Sequence, residues 1–350
     1  TQAIRLKPDD AFAFNNRGSA YGAKGDYDRA IADFTQAIRL KPDYAFAFYD
    51  RGLAYEHKGD YDRAIADYTE AIRLKPDAEQ AFGNRGSAYL AKRDYDHAIA
   101  DCNEAIRINP RNPISFNIRG KAYDNKGDQD RAIADYTEAI RLKPDYALAF
   151  FNRGHAYDHK GDYDRAVADY SEVIRLKPDD ADGYNAEAWL LATCPDAKFR
   201  DGPQAVQVAL KLVKLADDWS NRDTLAAAYA EAGQFADAVR EEQKALKMLG
   251  PSGAKGDIAD CQTRLALYQQ NKPYHEPPKG AGNAASLKDK LDHAVAFGHM
   301  ARDAMPAFAP SERLAPKQAM PTLGAKPNSA KPSSHDDNSA PAWPDPVTGQ

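Results

Sequence analysis

Between residues 11 and 180 the apolar and polar positions follow two alternating helical patterns that recur every 34 residues. The first opens on Phe14, Phe48, Phe82, Phe116 and Phe150. It continues through Gly18, Gly52, Gly86, Gly120 and Gly154 to Tyr21, Tyr55, Tyr89, Tyr123 and Tyr157. Apolar residues three and four apart mark one face of a helix. The second pattern carries Ala30, Ala64, Ala98, Ala132 and Ala166. Phe34, Tyr68, Cys102, Tyr136 and Tyr170 follow, then Ala37, Ala71, Ala105, Ala139 and Val173. Between the patterns stand Gly25, Gly59, Gly127 and Gly161, suited to the left-handed residue after a helix. Asp26, Asp60, Asp94, Asp128 and Asp162 come next and read as N-caps. Proline at positions 8, 42, 76, 110, 144 and 178 closes each unit, because it cannot continue a helix. The glycine inside the first helix costs about 1 kcal/mol against alanine, so its recurrence predicts the close approach of a second backbone.

A period in this range means an array of one supersecondary unit. Aromatic, Gly, Tyr, Ala, aromatic, Ala and Pro at these offsets resemble the tetratricopeptide repeat, and the match covers half the chain. The resemblance implies an all-α fold, a right-handed α-solenoid of stacked helix–turn–helix repeats. Two departures stand out. Arg17, Arg51, Arg85, Arg119 and Arg153 replace the usual leucine before the glycine, and Arg93 replaces the turn glycine of the third copy. Each arginine of the first set is expected to meet Asp33, Asp67, Asp101, Asp135 or Asp169 on its own second helix, as a partly buried pair. Solvated arginines lying over the aromatic ring below are the alternative.

Five regular repeats occupy residues 11–180 and two divergent ones 181–252, with an enlarged loop over 194–203. Residues 253–272 read as a capping helix whose apolar side carries Ile258, Cys261, Leu265 and Leu267. Thr1 to Pro8 repeats Thr35 to Pro42, so residues 1–10 read as the remnant second helix of a repeat whose first helix precedes Thr1. Residues 273–350 hold 12 of the 22 prolines and read as a largely disordered tail. A capping box at Ser286 and Asp289 and a PxxP-like pair, Pro341 and Pro344, interrupt it.

Composition narrows the function. A net charge of −5 gives no basic patch for nucleic acid. Cys102, Cys194 and Cys261 are too dispersed for a disulfide framework and point to a reducing, cytoplasmic setting. No apolar run of membrane-spanning length occurs. Catalytic motifs are missing, so no enzyme activity and no cofactor is expected. His155, Asp158 and His159 could share a helix face and hold a metal. Their positions vary between copies, which favours exposed polar variation, and no metal is expected.

The same variability singles out the face of the first helices, where the resemblance implies binding of an extended peptide or a partner helix. The candidate groove residues are Phe12, Asn15, Asn16, Phe46, Tyr49, Asp50, Asn84, Asn117, Phe151, Asn152 and His155. They are read as relieved of packing. Asn16, Asn84 and Asn152, with Asp50 between, resemble the asparagine ladder of the O-linked N-acetylglucosamine transferases. An amide both donates and accepts, so it can grip a peptide backbone. Asp50 and Ile118 break that ladder. The expectation is a non-catalytic scaffold taking a mixed apolar and basic peptide. Two rivals are the recruiting arm of an enzyme with its catalytic domain upstream, and a self-assembling structural protein.

Overall fold

The computed structural model describes residues 2–277, all of whose regular structure is helical. The tail motifs at Ser286, Asp289, Pro341 and Pro344 lie outside the described residues. A short α1 (Gln2–Leu6) precedes five pairs: α2 (Ala11–Gly22) with α3 (Tyr27–Leu40), α4 (Ala45–His57) with α5 (Tyr61–Leu74), and α6 (Glu79–Ala91) with α7 (Tyr95–Ile108). The fourth and fifth are α8 (Pro113–Asn125) with α9 (Gln129–Leu142), and α10 (Ala147–His159) with α11 (Tyr163–Leu176). Then come α12 (Ala181–Thr193), a 3₁₀ turn (Ala197–Phe199), α13 (Gly202–Leu215), α14 (Trp219–Glu231), α15 (Phe235–Leu249) and α16 (Lys255–Gln269). Each helix packs on the next, and the result is an α-solenoid. First helices of successive repeats also touch one another, whereas second helices do so less. The first helices therefore form the inner side.

In four of the five first helices the glycine is required by an aromatic ring; at Gly86 a Cβ would instead meet the Cys102 sulfur at 3.1 Å and the Ala98 backbone carbonyl at 3.3 Å. A Cβ at Gly18 would stand 2.7 Å from Phe34, and at Gly52 or Gly120 2.7 Å from Tyr68 or Tyr136. Those rings pack inside their own helix pair. The turn glycines have the expected left-handed backbone, φ 77° at Gly25 and 83° at Gly127. Arg93 takes the same conformation with φ 61°. Four of the five aspartates cap: Asp26, Asp60, Asp94 and Asp128 each accept the backbone N–H three residues on. Asp162 makes no such bond; both guanidinium contacts from Arg165 fall on its Oδ2.

All five arginine–aspartate pairs are present and bidentate. Arg17, Arg51, Arg85 and Arg119 donate through Nε and Nη2 to Asp33, Asp67, Asp101 and Asp135 at 2.7–2.8 Å. Arg153 does so to Asp169 at 2.9 and 2.8 Å. In Arg51, Arg85, Arg119 and Arg153 the remaining nitrogen, Nη1, reaches back one repeat and donates to Thr35, Thr69, Asn103 and Thr137. These four guanidinia are thus staples between neighbours as well as within one repeat.

At the terminal end α16 packs on α15 and α14, but its buried face is not the expected apolar one. On α16 the buried residues are Cys261, Arg264 and Tyr268, while Ile258, Leu265 and Leu267 are half-buried. Arg264 donates to both oxygens of Asp223, at 2.6 and 2.9 Å, so an ion pair occupies the centre of this interface. The enlarged loop over 194–203 is pinned. Asp201 N–H donates to the Leu191 carbonyl at 2.9 Å, and Arg200 binds Glu231 at 3.0 Å and the Cys194 carbonyl at 2.7 Å. No described helix is long and apolar enough to cross a membrane.

Candidate functional site

The inner face is the candidate site, and most of its expected residues are packed rather than open. Asn15, Asp50, Asn84, Asn117, Phe151, Asn152 and His155 are buried. The expectation that they are free of packing is corrected, and the reason is a bond between repeats. Asn15 Nδ2 donates to Asp50 at 2.9 Å, and Asn84 Nδ2 to the Tyr49 hydroxyl at 2.9 Å. Asn152 Nδ2 donates to Asn117 Oδ1 at 3.0 Å. These polar rungs join first helices side by side. Ladder amides at Asn84 and Asn152 are therefore spent on the neighbouring repeat. Phe151 packs on Tyr170, ring centroids 5.9 Å apart. Burial pushes the Asp50 carboxyl up to about 7, despite bonds from Asn15 and Ser19. Glu56 is likewise pushed up to about 7 by burial, although Tyr68 donates to it at 2.6 Å.

What stays accessible lies at the two ends. At the first, Phe12 is 51% exposed and Asn16 is exposed. Phe12 packs edge-on against Tyr44, which in turn meets Phe46. Lys41 lies over Phe12 at 5.0 Å and Lys75 over Phe46 at 5.3 Å, giving an aromatic ledge edged by cations.

At the other end a cleft of ≈ 670 Å³, measured with its open mouth, lies between α10, α12 and α14. Asp158, Trp189, Thr193, Asp223 and Glu276 are among its lining residues. The chain itself runs into it. After α16, residues 273–277 have no regular structure and return to the inner face, in contact with α12 and α14. Glu276 N–H donates to the Thr193 carbonyl at 2.8 Å, a group left unused where α12 ends. Trp189 Nε1 donates to the Glu276 carboxylate at 2.8 Å, and His275 Nε2 lies 2.6 Å from Glu231. The Arg264 guanidinium sits 5.6 Å from both the Trp189 and Tyr274 rings. Trp189 and Glu276 are 87 residues apart and outside the regular period, so no spacing in the sequence announces their contact.

Fold and inner face define a helix-pair repeat protein. The model of the family described as tetratricopeptide repeat matches residues 15–79, 49–113 and 119–181. The chain belongs to the tetratricopeptide repeat family. Two solved structures show the same fold. A tetratricopeptide repeat protein from Parabacteroides merdae is 18% identical, with 74% of this chain and 99% of that one covered and a TM-score of 0.55. The APC/C hetero-tetramer Cut9–Hcn1 is 21% identical, with 65% and 44% covered and a TM-score of 0.56. YrrB, a TPR protein with an unusual peptide-binding site, is 23% identical, with 53% and 96% covered and a TM-score of 0.45. No curated protein matches the chain.

Proposed function

We propose that this protein is a non-catalytic interaction scaffold that holds an extended peptide segment of a partner protein along the inner face of its first helices. The observation that carries the reading is the chain's own segment at 273–277. Without helical structure of its own, it is bound to that face through one backbone N–H, one carboxylate and one ring. A surface that holds such a segment in cis offers the same donors and rings to one in trans. Main-chain bonds supply affinity and side-chain pockets supply selectivity. Contact falls to the accessible residues Phe12, Asn16 and Phe46 at one end and Trp189 at the other, while Tyr49 is engaged by Asn84. Asn15, Asp50, Asn84, Asn117, Phe151, Asn152 and His155 hold those helices in register.

A random-peptide display library panned on the full chain tests this. Peptides enriched on the native protein should lose binding to a variant carrying Phe12→Ala, Asn16→Ala, Phe46→Ala and Trp189→Ala, with helix content unchanged by circular dichroism. Equal binding to both proteins would place recognition elsewhere and overturn the reading.

A further inference from the structure

The inner seam between the fourth and fifth repeats differs from every other junction in the array. At the positions of Asp124, His155 and His159 the first junction carries Gly22, Leu53 and His57. The second carries Glu56, Ser87 and Ala91, and the third Leu90, Lys121 and Asn125. Among these four junctions, the fourth alone brings together three side chains that can ligate a metal at these positions. His155 and His159 are one helical turn apart on α10, so they share a face, and Asp124 reaches them from the last turn of α8. His155 Nδ1 stands 3.6 Å from Asp124 Oδ2, and His159 Nδ1 stands 3.9 Å from Oδ1. One ligand atom from each residue lies within 4.8 Å of the others.

A second observation points to a ligand. The side chains of His155 and Asp124 are 5% and 3% exposed. Both ring nitrogens of His155 and Oδ1 of Asp124 have no hydrogen-bond partner. Buried polar atoms are nearly always satisfied, and each one left over costs free energy. Leu53 fills the place of His155 in the second repeat and is 2% exposed, so packing alone does not require an imidazole there.

We propose that Asp124, His155 and His159 form a binding site for a divalent transition-metal ion of the zinc class, bridging the fourth and fifth repeats. Two imidazoles and one carboxylate suit such an ion, whereas magnesium and calcium take oxygen ligands. In a tetrahedral zinc site the donor atoms stand about 3.3 Å apart. Small side-chain rotations close the observed separations to that value. Three protein ligands leave one coordination position for water or for a side chain of a bound partner. Sequence reasoning grouped the histidines with Asp158, on their own helix; the third ligand comes instead from the preceding repeat.

Lys121 is the resident competitor, its ammonium 3.4 Å from Asp124 Oδ2. Gln129 Nε2, 3.3 Å from His159 Nδ1, competes for the lone pair of that nitrogen and has to give way when the ion binds. The test uses the full chain without an affinity tag, titrated with Zn²⁺ by calorimetry and with Co²⁺ by visible absorption. One ion per chain is expected, with the d–d bands of tetrahedral cobalt and a melting temperature that rises with zinc. His155→Leu copies the second repeat and should fold. It should weaken zinc binding by more than about 100-fold, beyond the usual effect of losing a supporting outer residue. Lys121→Met should tighten binding. Equal zinc affinity in native and H155L chains, absent cobalt bands, or a K121M chain that binds no tighter would each overturn the site.

Discussion

Arg85 and Asp101 face each other across one helix pair, Arg85 donating two hydrogen bonds of 2.7 Å to the Asp101 carboxylate, while Arg85 Nη1 donates to Thr69 of the preceding repeat at 2.9 Å. Their side chains are 17% and 9% exposed. A guanidinium fork matches a carboxylate in plane and leaves a third nitrogen for a further acceptor. One residue therefore joins two repeats, which explains why arginine can stand where leucine is usual.

Removing one partner of such a pair leaves a desolvated charge. Arg85→Leu is expected to cost about 3 kcal/mol, the low end for a buried pair, since the arginine keeps some solvent. Arg85→Leu with Asp101→Leu should cost less than Arg85→Leu alone. Urea denaturation followed by circular dichroism measures both, and a single variant as stable as the native chain would show that the pair contributes nothing.

Arg93 holds a left-handed backbone that costs a non-glycine residue about 1 kcal/mol. A Cβ at the matching glycines 25, 59 and 127 would meet nothing within 4 Å, and the Arg93 side chain is exposed, so replacement removes little packing. Arg93→Gly should stabilise the chain by up to about 1 kcal/mol, less the entropy glycine adds to the unfolded state. A lower melting temperature for R93G would contradict this.

Period and composition made the helix pairs, turns and staples legible, because each follows from contacts local to one repeat or the next. Variation between copies was a poor guide to exposure. Asn15, Asn84 and Asn152 vary because each junction satisfies its buried polar groups with a different pair, and burial does not demand one residue type when the partner changes too. The residues near Trp189 were illegible for another reason. Arg264, Tyr274 and Glu276 come from outside the periodic region, and their meeting depends on how the last helix returns across the inner face.

Asp50 makes stability depend on pH. Its carboxyl, pushed up to about 7 by burial, sits near 3.9 in an unfolded chain. A raised folded value means that the folded state favours the protonated acid. Its contribution is complete below about pH 4 and is lost as pH rises through about 7. Glu56 adds a loss of the same sign. Asp50→Asn keeps the shape, and its amide can donate to Asn15 once that side chain flips; Asn15 Oδ1 has no partner now. The difference in denaturation midpoint between pH 5 and pH 8 should shrink in D50N. An unchanged difference would show that Asp50 is ionised throughout.

Glu276 tests whether the cis segment and a peptide in trans share one surface. Its carboxylate accepts from Trp189 Nε1 and its N–H binds the Thr193 carbonyl. Glu276→Ala removes the first of these, worth about 1–2 kcal/mol for a charged acceptor, and weakens the hold on the second. Faster amide exchange at 274–277 is the direct readout, with protection in α12 and α14 unchanged. Display peptides that bind at Trp189 should then bind E276A more tightly than the native chain, because the resident segment no longer competes. Tighter binding by the native chain would mean that Glu276 belongs to the recognition surface and is not its occupant.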